Sequence, residues 1–167
     1  YHPDHMGLAG WLTDRLGIGM WTTDGEWRMA AAVHARDDAA FTSELETLYR
    51  RCGYDDAFIE RVHERGNPYR RRAGKIPDPE HILADGDRID IGQNSWQVIV
   101  GRGHAPEHAC LYSRRAGVLI SGDQVWPKST PNISVQAGDM AADPLAPNPE
   151  SPAPFDPLPC SPTLLPA

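Results

Sequence analysis

The spacing of apolar and polar positions changes period near residue 80. Before it, apolar residues recur at helical intervals. Leu8, Ala9, Trp11, Leu12 and Leu16 share one face of a helix expected over 7–16, which Gly17 should stop. The short apolar run over 19–22 reads as a buried strand. Thr23-Asp24-Gly25-Glu26 has the form of a capping box opening a helix over 27–36. Two further helices are expected over 38–51 and 54–64, ending near Gly53 and Gly66.

Beyond residue 80 the period is that of strands. Arg88-Ile89-Asp90-Ile91 alternates, Gly92-Gln93-Asn94-Ser95 supplies turn residues, and 96–100 forms a second strand. Residues 109–112 and 118–121, around a turn over 113–117, predict another hairpin. Strand pairs behind a helical segment predict a mixed α/β layered domain. No internal repeat interrupts this order.

Composition narrows the class. With 167 residues, 40% hydrophobic and 23% charged, the chain can bury a core as one ordinary globular domain. A net charge of -7 argues against nucleic acid or an anionic membrane as the main partner. The Tyr69-Arg70-Arg71-Arg72 run is then read as a solvated loop. No apolar run is long enough to span a bilayer, and no signal-peptide pattern is present. Cys52, Cys110 and Cys160 are scattered and odd in number, which fits a reducing cytoplasm. From 144 to 167, nine residues are proline, a density that excludes helix and central strand. That stretch is expected to be a disordered or non-native tail behind a catalytic domain over 1–143.

Three short segments concentrate metal-ligand chemistry. The first is His2-Pro3-Asp4-His5, followed by Gly7, where Pro3 should force a loop. The second is Gly101-Arg102-Gly103-His104-Ala105-Pro106-Glu107-His108, a loop rich in glycine and proline expected between two strands. The third is Gly122-Asp123, at the end of an apolar strand. Imidazole nitrogen and carboxylate oxygen are the ligands of catalytic zinc, and two neighbouring ions can share a hydroxide that is nucleophilic at neutral pH.

In this order the segments resemble the metallo-β-lactamase superfamily: the tail of its H-x-H-x-D-H motif, its G-H-[TS]-P-G-H segment, and the strand ending in its metal-bridging aspartate. The likeness is to the glyoxalase II-like and lactonase-like branch. It implies a four-layer αββα sandwich, incomplete at both ends. It further implies that His2 and His104 hold one zinc, that Asp4 and His5 hold a second, and that Asp123 bridges them. Iron or manganese could replace the zinc, and Asp4 is also the residue expected to act in catalysis. The implied activity is hydrolysis of a small-molecule thioester, lactone or related ester. A metal-dependent nuclease of the same fold and an inactive metal-binding fragment are the alternatives.

The departures are specific. The family's first motif histidine falls just before Tyr1, and no histidine follows His108, so one imidazole is missing from each metal's set. After about residue 145 the composition reads as unrelated sequence in place of the family's last strand, helix and histidine. Glu107 stands where the family has glycine, and its charged side chain should alter the loop or access to it. His108 is expected to support the site rather than ligate. His34, His63 and His81 are read as surface or packing residues. The helices over 37–72 are expected to shape the substrate pocket. Trp126 and Tyr112 are assigned either to the pocket mouth or to core packing.

Overall fold

The computed structural model describes residues 1–126, 128, 158 and 162–166. Among these the chain forms two compact units, one of residues 1–20 and 27–80, the other of 21–26 and the described residues from 81 onward.

The first unit is helical: α1 (Pro3–Met6), α2 (Ala9–Leu16), all but the first turn of α3 (Asp24–Ala35), α4 (Asp38–Arg51), α5 (Asp56–Arg65) and α6 (Pro68–Arg72). The loop expected at Pro3 is instead a single helical turn, because proline at its first position is already set for helix and has no N–H to waste. Gly7 ends that turn, so the helix expected over 7–16 begins later, at Ala9. Gly17, at φ +63°, closes α2 as expected. Asp37 and Asp55 cap α4 and α5, each carboxylate accepting at 2.8 Å from a first-turn amide, of Ala40 and Phe58. The arginine run read as a loop is also helical: Asn67 caps it, Pro68 starts it, and Arg70, Arg71 and Arg72 point into solvent.

The core of this unit is Met6, Ala30, Val33, Tyr69 and Ala73, with Met29, Phe41 and Ile76 packed against it. The apolar stripe of α2 does not join it. Leu8, Trp11 and Leu16 are about 60% exposed (65%, 61% and 59%), and α2 buries Gly10 instead. Gly10 lies so close under the Lys75 carbonyl that no side chain fits there. The buried side of α2 is therefore chosen by backbone contact and not by its hydrophobic periodicity.

Asn67 organises the helical segment. Fully buried, it donates through Nδ2 to the Val33 and Arg36 carbonyls at the end of α3 (2.9 and 3.0 Å), and its Oδ1 accepts from Tyr69 N. Its own N–H donates to Asp38 of α4.

The second unit is built on a five-stranded sheet in the order β3-β4-β5-β6-β7: β3 (Arg88–Ile91), β4 (Asn94–Gly101), β5 (His108–Ser113), β6 (Val118–Ile120) and β7 (Thr163–Leu165). The first three pairings are antiparallel, with Ile99 opposite Cys110 and Tyr112 opposite Leu119. These four residues form its core, with Leu158 and Leu164 against them. Tyr112 is thus a core residue, while Trp126 is exposed. β1 (Met20–Thr23) and β2 (Pro79–Leu83) make a separate two-stranded sheet; β2 carries no alternating pattern that would announce it.

Within 144–167, read as a disordered or non-native tail without helix or central strand, β7 is a short edge strand. Pro162 and Pro166 flank three residues that keep their donors, and these pair parallel to β6. Proline still keeps the strand at the sheet's edge. Except for Leu158 and 162–166, that stretch lies outside the described residues.

Candidate metal centre

Two clusters carry the residues singled out by their chemistry, one in each unit. In the first, His2 precedes α1 in extended conformation (φ -55°, ψ 146°), with its ring 4.2 Å from that of Tyr1. The backbone there is held by Tyr69, whose hydroxyl donates to the Tyr1 carbonyl at 2.6 Å. Asp4 and His5 follow on the single turn of α1, with Asp4 Oδ2 and His5 Nε2 4.0 Å apart. Asp4 is well exposed, its side chain 78% accessible.

In the second unit His104 lies in the connection between β4 and β5, and Asp123 in the 3-10 turn Gly122–Gln124 after β6. The pairing of β4, β5 and β6 brings their ends together, so that His104 Nε2 is 3.5 Å from Asp123 Oδ2. Both side chains are largely buried, 11% and 15% exposed. Ligands 2.0–2.2 Å from a tetrahedral zinc are separated by roughly 3.4 Å. The pair therefore has the donor types and the spacing of two ligands on one ion.

Two further residues steady this pair. The His108 ring packs onto Gly122, which at φ +50° and without a Cβ leaves the space that ring occupies. Its centroid is 6.0 Å from the His104 ring, edge to face. Gln124, beside Asp123, donates to the Arg102 carbonyl at 3.0 Å, fastening the start of the His104 loop to the Asp123 turn. His108 thus packs against the turn from beside it; Gln124 carries no motif that would single it out.

The capping box is replaced by a different arrangement. Thr23 Oγ1 donates to the Glu107 carbonyl (2.7 Å), and Glu26 Oε1 accepts from Glu107 N (2.9 Å). The carboxylate of Glu107 takes the capping position, accepting from Gly25 N at 2.7 Å. Helix α3 is capped by the His104 loop because that carboxylate arrives from outside the segment.

The remaining histidines are accounted for elsewhere. His63 Nε2 lies 2.9 Å from Glu46, His34 meets the edge of Tyr69, and His81 packs on Trp21.

The family model of the metallo-beta-lactamase superfamily matches residues 1–157, and the chain belongs to that superfamily. Its α/β fold is that of a beta-lactamase domain protein from Burkholderia ambifaria, with a TM-score of 0.74 and 32% identity, covering 99% of this chain and 47% of that one. The acyl-coenzyme A thioesterase MBLAC2 of Gallus gallus is 27% identical over 146 residues, 76% of this chain and 50% of that protein. A hydroxyacylglutathione hydrolase of Rhodobacter capsulatus is 38% identical over 53 residues, 32% of this chain and 21% of that protein. The chain spans at most about half the length of these relatives.

Proposed function

We propose that this chain carries zinc ligands of a hydrolase acting on a small-molecule thioester, lactone or related ester. The observation that carries the reading is the buried His104–Asp123 pair, 3.5 Å apart at the adjoining ends of strands in one sheet. Such a pair is held by a rigid scaffold and needs little rearrangement to take an ion. Two relatives named as a hydroxyacylglutathione hydrolase and an acyl-coenzyme A thioesterase favour a thioester within that substrate range.

In this reading His2, Asp4, His5, His104 and Asp123 are the ligands. Zinc held by them would supply water activated at neutral pH and a Lewis acid for the substrate carbonyl. The protein's part is to fix imidazole and carboxylate in place and to move protons. Asp4, exposed on α1, accepts the proton of the attacking water and passes it to the leaving thiolate or alkoxide. The free thiols Cys52 and Cys110 support a reducing, cytoplasmic setting. Among the described residues no helix is long and apolar enough to cross a membrane.

The test combines metal analysis with assay. The purified chain should contain zinc, and His104→Ala and Asp123→Ala should each lower its content; unchanged stoichiometry in both variants refutes the ligand assignment. Thioester, lactone and RNA substrates are then compared side by side. Cleavage of RNA alone selects a nuclease, and bound zinc without any turnover selects an inactive metal-binding piece.

A further inference from the structure

We propose that Glu107 is a positioning residue, which locks the His104 loop to the first turn of α3 and so holds His104 at its distance from Asp123. The loop from Arg102 to Glu107 has two fastened ends. At Arg102 the tie is Gln124, next to Asp123. At Glu107 there are three: its carboxylate accepts from Gly25 N, its own N–H donates to Glu26, and its carbonyl accepts from Thr23, all between 2.7 and 2.9 Å. His104 lies between these anchors. With both ends fixed, the backbone that carries its imidazole has little room to drift from Asp123.

The arrangement is reciprocal. Glu107 caps the helix, and a residue of that helix, Glu26, holds Glu107. Two carboxylates side by side would repel, but each accepts a backbone N–H: Glu26 from Glu107, and Glu107 from Gly25 at the start of α3, where partial positive charge favours anions. Arg102 Nη2 also donates to Glu107 Oε1 at 3.1 Å. Gly25 is the matching half: a Cβ there would lie 2.9 Å from Glu107 Cγ and Oε2, so any side chain displaces the carboxylate. The glycine that the superfamily pattern has at position 107 could make none of the side-chain contacts.

The proposal rests on the zinc reading above, and its test separates the two. Zn2+ affinity is measured by chelator competition on the full chain and on Glu107→Ala, Glu107→Gln and Gly25→Ala. Backbone amide exchange is followed on the same proteins without metal, with Val98 and Ile99 as reporters of an intact core. Losing a partner that orients a metal ligand weakens affinity about 10–100-fold. That loss is expected for Glu107→Ala and for Gly25→Ala, together with faster exchange of the residue 25 amide. Glu107→Gln keeps an oxygen for that amide and should stay within a few-fold of the parent.

Unchanged affinity and unchanged exchange in Glu107→Ala would overturn the proposal. So would a Glu107→Gln variant as weak as Glu107→Ala, because its acceptor is still in place. If even the parent chain binds no Zn2+, the zinc reading fails and amide exchange alone decides the clamp. Lost protection in Glu107→Ala then supports it, and retained protection overturns it.

Discussion

Replacing Asn67 with alanine removes three side-chain hydrogen bonds from a fully buried position. Two of them end on the Val33 and Arg36 carbonyls, groups at the C-terminus of α3 that have no later helical turn to bond them. The third caps α6. A net contribution of about 1 kcal/mol for each bond gives about 3 kcal/mol, and the stranded buried carbonyls place the cost at the upper end of a range of about 2–4 kcal/mol. At this chain length each kcal/mol lowers Tm by about 2–4 °C, so the melt should fall by roughly 5–15 °C. The consequence reaches the candidate ligands. α6 carries Tyr69, whose hydroxyl holds the Tyr1 carbonyl beside His2, so amide protection at Met6 and Gly7 should drop. Asn67→Asp keeps the acceptor for Tyr69 N but turns a carboxylate toward two carbonyls, and should melt no higher than Asn67→Ala. Calorimetry checks both. A cooperative melt of Asn67→Ala within 2 °C of the parent would refute the idea that this side chain joins α3 and α6.

Three other outcomes are expected. Burial pushes the Cys110 thiol up to about 12, so in a Cys160→Ser background one thiol, the exposed Cys52, should react rapidly with a disulfide reagent at pH 8. Cys110 should react only on unfolding. Glu46 is held below its ordinary pKa by Arg50 and His63; a lowered carboxylate stabilises the fold above about pH 4.5, and that stabilisation fades as pH falls through its folded value. Glu46→Gln should flatten this acid limb slightly, and about 1 M salt should erase the difference, since its pairs with Arg50 and His63 lie at the surface. The exposed stripe of α2 should bind an apolar dye and promote association, and Trp11→Lys with Leu16→Lys should reduce both while changing stability by under about 1 kcal/mol. A pair of substitutions that unfolds the protein would show that this face is covered.

Local patterns made much of the chain legible. Glycines after apolar runs mark helix ends through backbone hydrogen bonding that the segment itself completes, and α4 spans the expected 38–51. Alternation located β3, and turn residues between short runs located β4 to β6, because both signals lie within the segments themselves. The histidines and carboxylates were legible as chemistry, since few other side chains bind zinc and their order along the chain resembles one superfamily.

What only tertiary structure decided involves partners distant in sequence. Nothing in Leu8 to Leu16 says that the apolar stripe stays in solvent while Gly10 meets the Lys75 carbonyl. Thr23 and Glu26 have the signature of a capping box, yet their bonds go to Glu107, some eighty positions away, where a carboxylate meets the start of α3. β7 exists because β6 offers an edge to three residues between prolines. The residue types at the candidate centre belong to the sequence alone. The 3.5 Å between His104 and Asp123 belongs to the fold, because a separation across a sheet depends on which strands pair and on what holds the loop between them.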